Sequence, residues 1–241
     1  MRKRIISATL ALLTLLAVIL LTACKGGNGV EGKNDMYLIL VNKKNAAGEN
    51  YVPKNLVKLD ERYTNGGKNV ELEQKAAEAV LSMIDAMKAD GITNVTVTSG
   101  YRTYKYQQDL FDRYCNKEKE AHPTWSDTEV KDYVLTYSAY PGTSEHQTGL
   151  CVDLITDEME GLWNYGSETP NNPYDKGFAE TRAYTWLLEN AHKFGFILRY
   201  PEDKTKITGY SYESWHYRFV GVSVATEIYE KGITLEEYLS K

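Results

Sequence analysis

The chain holds only four histidines, His122, His146, His192 and His216, and two of them keep unusual company. His146 lies in Gly142-Thr143-Ser144-Glu145-His146-Gln147-Thr148-Gly149-Leu150-Cys151-Val152-Asp153, and His216 lies in Glu213-Ser214-Trp215-His216-Tyr217-Arg218. Hydrolysis at a zinc ion needs three protein ligands and one position left for water. The ion lowers the pKa of water to about 7, and a nearby carboxylate must take and return the proton. Two histidines and one aspartate from these blocks supply such ligands, and one glutamate supplies the base.

Positioning those groups falls to the elements around them. Residues 149–155 read as a strand in which Cys151, Asp153 and Ile155 share one face, and Leu150, Val152 and Leu154 share the other. The Leu-Val-Leu face suits a core, so Asp153 looks into the site. His146 is seven residues earlier, out of step with a continuous strand, and the Thr148-Gly149 bend corrects this. Glu213 and His216 are three apart, which on one strand points them oppositely, so Glu213 is placed in the turn before the strand.

Elsewhere, residues 36–41 read as a first strand buried on both faces, and 42–55 as a loop. Leu72, Ala76, Ala79, Val80, Met83, Ile84 and Met87 recur at helical spacing, which predicts an amphipathic helix over 71–88 stopped by Gly91. Val95 and Val97 alternate with threonines in a strand over 94–99. Thr103 caps a helix over 104–116 and Ser126 another over 127–138. A loop rich in Gly, Asn and Pro spans 156–176, and a helix spans 179–193. Strands over 196–200 and 215–220 and short helices over 222–230 and 235–239 close the chain. Helices and strands mix without regular βαβ alternation, so the class is α+β.

Ser99-Gly100-Tyr101-Arg102-Thr103, then Gln107, then Ser144-Glu145-His146 with Gly149 and Asp153, then Glu213 with Trp215-His216, together resemble the VanY-like D-alanyl-D-alanine carboxypeptidase family. The resemblance covers nearly all of residues 36–230. It implies the zinc fold that this family shares with the hedgehog signalling domain, a central, mainly antiparallel sheet with flanking helices. It implies that His146, Asp153 and His216 bind Zn2+ and that Glu213 is the general base. Arg102 meets the substrate's terminal carboxylate or the developing oxyanion, and Gln107 and Ser144 orient the peptide end. Arg102 also has a case of its own: an exopeptidase must recognise a free carboxylate, which arginine does bidentately, and a strand-to-helix turn adds backbone N–H groups. Tyr101 reads as pocket wall or core. His122 and His192 read as structural or exposed. Cys151 shares the face of Asp153, but a fourth protein ligand would close the site, so it is left out of the ligand set. The expected substrates are peptidoglycan stem peptides, cut at the terminal D-Ala-D-Ala bond. L,D-cleavage of tetrapeptide stems, cleavage of cross-links, and a non-catalytic lipoprotein that binds zinc or wall peptides are the alternatives.

The N-terminus reads as a targeting segment. Arg2, Lys3 and Arg4 precede an almost unbroken apolar run from Ile5 to Leu21, which ends Thr22-Ala23-Cys24. Small residues followed directly by Cys resemble a bacterial lipoprotein signal, so residues 1–23 are expected to be removed and Cys24 lipidated, anchoring the protein on the outer side of the cell membrane. Residues 24–35 then form a flexible tether and 36–241 one domain. Losing the three positive charges takes the formal net charge from −5 to about −8, which argues against nucleic acid as a partner. A monomer is expected. Cys115 and Cys151 make no disulfide framework, and free buried thiols are the plainer expectation.

Overall fold

A computed structural model describes residues 36–159 and 177–240. Its first regular element is a small ribbon in which β1 (Leu56–Lys58) pairs antiparallel with β2 (Glu71–Glu73). β2 leads straight into α1 (Gln74–Ala89). The Glu73 carboxylate caps this helix, accepting from the backbone N–H groups of Lys75 (2.8 Å) and Ala76 (3.3 Å). The helix therefore starts three residues later than the hydrophobic spacing predicts, because Glu71–Glu73 is extended and paired.

The main sheet has the order β3 (Val95–Ser99), β4 (Cys151–Thr156), β6 (Glu213–Phe219), β5 (Phe196–Tyr200), and every neighbouring pair is antiparallel. Around it stand α2 (Tyr104–Ala121), α3 (Asp127–Val134), α4 (Arg182–Asn190), α5 (Val222–Lys231) and α6 (Leu235–Leu239). The α+β expectation holds. Strand alternation gives the sheet two unlike faces. Val95, Val97, Val152, Leu154, Tyr217 and Phe219 form one core with Ala76, Val80, Met83, Ile84 and Met87 of α1 and Leu187 of α4. Each fully buried Val, Leu, Ile, Met or Phe among them contributes about 1.5–3 kcal/mol. The opposite parity carries Cys151, Asp153, Arg199, His216 and Arg218, all buried as well. A charged face can be buried only if its charges are partnered, and that partnering builds the site.

Several boundaries differ from the sequence reading for local reasons. Residues 36–41 form no strand: Met36–Leu38 is a 3-10 turn. The carbonyls of Tyr37 and Ile39 accept from the Arg218 guanidinium at 3.0 and 2.7 Å rather than from a neighbouring strand. α2 runs on to Ala121, where buried Glu118 accepts the Tyr137 hydroxyl at 3.0 Å. α3 ends early, at Val134, after a capping box between Ser126 and Glu129. The 179–193 helix is shortened to Arg182–Asn190, with Thr181 as its cap and a 3-10 turn behind it. Leu38, Ile197, Val220, Ala225, Ile228 and Leu235 form a second apolar cluster that seats α5 and α6. The targeting segment with Cys24, the tether, and residues 160–176 of the long loop lie outside the described residues.

Candidate active site

His146 sits in a 3-10 turn, Glu145–Thr148, that ends on Gly149 with φ 68°. Only glycine takes this left-handed turn cheaply, and a Cβ there would also approach the Glu73 backbone nitrogen to 3.1 Å. The turn brings His146 over the strand that carries Asp153, as its spacing required. One oxygen of Asp153 lies 3.3 Å from His146 Nε2, and the other lies 2.9 Å from His216 Nδ1. Asp153 and His216 are cross-strand partners on β4 and β6.

The far nitrogen of each imidazole is already committed. His146 Nδ1 is 2.7 Å from the Gly100 carbonyl oxygen, and His216 Nε2 is 2.8 Å from a Glu145 carboxylate oxygen. Both acceptors take N–H bonds, so His146 Nε2 and His216 Nδ1, which face Asp153, are the nitrogens that a metal ion would take in exchange for their protons. Two imidazoles fixed this way beside one carboxylate are the arrangement that metal sites use, and the donor set fits zinc. Gly100 is pressed against β2, where a Cβ would come within 2.6 Å of the Glu71 carbonyl oxygen. Its carbonyl is thereby held rigidly under His146.

Burial and Arg102 act against a protonated His146, yet Asp153 and Cys151 outweigh them and push it up to about 9. Burial opposes the charge of Asp153 as well, but the two histidines hold it well below the usual carboxylate range. Protons and a metal ion therefore compete for the same nitrogens, and metal binding weakens in acid.

Glu213 is the first residue of β6, not part of a preceding turn. The parity problem is solved differently. Leu198 stands opposite Tyr217 while Tyr200 stands opposite Glu213, so two residues on β5 span four on β6. This irregularity turns Glu213 onto the face of His216, with an oxygen 3.6 Å from its Nδ1. Burial raises the Glu213 carboxyl to about 7, reinforced by Asp153 and opposed by His216, His146 and Arg102. A bound dication would add to that opposition. As the base, Glu213 must be ionised, so kcat/KM should fall as pH drops through a value at or below about 7. A pH–rate profile at saturating zinc checks this, and a flat profile from about pH 8 to about pH 4 would remove Glu213 from the role.

A cavity of about 330 Å³ opens over these groups. Arg102, Gln107 and Ser144 line it, with Tyr106, Tyr200 and Trp215 among its walls. The Arg102 guanidinium, 23% exposed, reaches an Asp153 oxygen at 3.0 Å and the Ser99 hydroxyl at 3.0 Å. Buried Gln107 donates to the Ala139 carbonyl at 2.9 Å, while its Oε1 has no partner among the described residues. Tyr101 is not on the cavity wall. Its backbone N–H donates to the Glu71 carbonyl, and its phenol is raised by burial and by Glu71 and Tyr51 on the β2 side. His192 stacks on Tyr229 and His122 on Trp125, away from the cavity lining.

The sequence reading missed the group behind His216. Glu145 accepts from Arg199 at 2.9 Å and from Arg218 at 3.0 Å with its second oxygen, and all three side chains are buried. Arg199 also binds Glu236 of α6, at 2.7 and 2.9 Å. Burial opposes the Glu145 charge, but Arg199, Arg218 and His216 outweigh it and hold the carboxyl well below the usual range. A signal was present: an arginine inside each of two apolar strands needs a buried acid, and Glu145 adjoins a candidate ligand. Cys151 shares the face of Asp153, as strand parity predicts. Its sulfur and one nitrogen each of His146 and His216 lie within 4.8 Å of one another. Neither Cys151 nor partly buried Cys115 is in a disulfide.

Residues 69–222 match the family model for VanY, D-alanyl-D-alanine carboxypeptidase. The chain belongs to that family. A D-alanyl-D-alanine carboxypeptidase of Enterococcus faecalis is 40% identical over 203 residues, which are 84% of this chain and 65% of that relative. The match thus spans just under two thirds of its length. Among solved structures, VanYB in complex with D-alanine-D-alanine is 38% identical, with TM-score 0.66 over 86% of this chain and 99% of that one. A glutamate-to-alanine variant of a VanY D,D-pentapeptidase, in complex with Zn(II), is 38% identical with TM-score 0.65 over 85% of this chain and 99% of that one. The LdcB LD-carboxypeptidase is 34% identical with TM-score 0.67, covering 84% and 85% of the two chains. VanY-type membership accounts for the fold and for the order of the three motif blocks.

Proposed function

We propose that this protein is a zinc-dependent D,D-carboxypeptidase that removes the last D-alanine from peptidoglycan stem peptides. The observation that carries the reading is the convergence of His146 Nε2, His216 Nδ1 and the Asp153 carboxylate, with Glu213 beside them at the cavity. Zinc held by His146, Asp153 and His216 supplies Lewis acidity, which polarises a carbonyl and brings water's pKa to about 7. Glu213 takes the proton from the attacking water and passes it to the leaving amine. Its raised carboxyl suits both transfers. Arg102 offers its guanidinium to the terminal carboxylate, and Gln107 and Ser144, which line the cavity, orient the peptide end.

Cleavage is read by mass after incubation with pentapeptide and tetrapeptide stems. Loss of one alanine from the pentapeptide is expected, abolished by a chelator and restored by zinc. Trimming of the tetrapeptide alone would instead place the protein with the LD-carboxypeptidases, which its likeness to LdcB makes the pertinent alternative. Activity untouched by chelation would defeat the metal reading.

The cellular setting follows from the N-terminal residues. The basic start, the apolar run and Ala23-Cys24 support lipidation of Cys24 and a place on the outer surface of the membrane, facing the wall. Mass analysis of the N-terminal fragment is expected to find the chain starting at Cys24 and carrying acyl chains, and Cys24→Ala is expected to lose both. A wild-type protein whose N-terminal fragment shows no acyl mass on Cys24 would exclude the lipid anchor.

A further inference from the structure

Cys151 is a potential metal ligand of the site that the proposed reaction leaves unused. It stands two residues before Asp153 on β4, on the same strand face, and is fully buried. Its sulfur and a ring nitrogen from each of His146 and His216 lie within 4.8 Å of one another. Two ligand triads thus share both histidines. One is completed by the Asp153 oxygen, a hard donor, and the other by the Cys151 sulfur, a soft one. Soft donors select thiophilic ions, hard ones do not.

We propose that Cys151 gives the site a second coordination mode, in which a thiophilic dication such as cadmium is held by His146, His216 and the Cys151 sulfur. The inference rests on the zinc-site reading above. As the sulfur–metal bond forms, the S–H bond breaks and its proton leaves to solvent, with no change of oxidation state. The fold makes this switch small, because both ligands extend from one strand under two histidines fixed by Gly100 and Glu145.

The test is cadmium titration of the metal-free, full-length protein, followed by ultraviolet absorption, beside the Cys151→Ala and Cys151→Ser variants. Cys24 and Cys115 contribute equally to all three, so the difference spectra isolate Cys151. A thiolate-to-cadmium charge-transfer band saturating at one ion per chain is expected in the wild type and absent from both variants. Cadmium affinity should fall about tenfold or more in the variants, equivalent to about 1.4 kcal/mol, with a smaller change for zinc. The serine variant keeps the side-chain size should alanine disturb the fold. Equal spectra and equal cadmium affinities, with zinc still bound by all three proteins, would overturn the second mode and leave the zinc site standing. Failure of the wild type to bind either ion would overturn both.

Discussion

Glu213→Gln is expected to fold, to bind one zinc per chain as the wild type does, and to lose turnover by about a thousandfold, within the range of general-base removal. The substitution keeps the shape of the side chain and deletes only its capacity to hold a proton. Zinc binding should survive because the ligands are His146, Asp153 and His216. Glu213 stands off to the side, 3.6 Å from His216 Nδ1. The folded state also gains from the change. Burial raises the Glu213 carboxyl from 4.5 to about 7, so its ionisation costs the metal-free protein stability increasingly as pH rises above about 4.5, until the group is ionised above about 7. Glutamine carries no such cost, and the metal-free variant should melt higher than the metal-free wild type at pH 8. Kinetics with zinc analysis, and melting of both metal-free proteins, check the two halves. A zinc-loaded variant turning over at the wild-type rate would end the base assignment.

Glu145→Gln should strike the fold and the metal together. Glu145 and Glu236 balance Arg199 and Arg218 in a buried cluster. Removing one negative charge leaves an uncompensated guanidinium charge out of water, which costs about 3–5 kcal/mol. Glu145 also fixes the tautomer of His216, and losing such a partner typically weakens metal binding by about 10–100-fold. The carboxyl is held below its usual range in the folded protein, so its contribution is present above about pH 4.5 and is lost as pH falls through the lowered value. Denaturant unfolding and zinc titration measure the two effects. Unchanged values in both would mean that the cluster behind His216 is dispensable.

How far the sequence could be read depended on whether local spacing or distant partners decided the geometry. The α1 core stripe, the alternation of β3 and β4, and the bend at Gly149 were legible because each follows from residues a few positions apart. The inward aim of Asp153 followed from the Leu150, Val152 and Leu154 core face. Glu213 was placed beside His216 correctly but by the wrong device. A register irregularity between β5 and β6 turns it inward, and that irregularity depends on the partner strand. Residues 36–41 carry a strand-like pattern, yet their carbonyls are claimed by Arg218, 179 or more positions away. Tyr101 is absent from the cavity lining, and its backbone N–H is held by the Glu71 carbonyl of β2, a partner thirty positions away. The Glu145 cluster was hidden for the same reason: its members come from a turn, two strands and the last helix.

Zinc added to crystals of the full chain, located by its anomalous scattering, is the most direct measurement. The account predicts a single ion about 2.0–2.2 Å from His146 Nε2, from His216 Nδ1 and from an Asp153 oxygen, with its fourth side open to the cavity beside Glu213. An ion bound elsewhere, or one that engages only one of the two histidines, would contradict it.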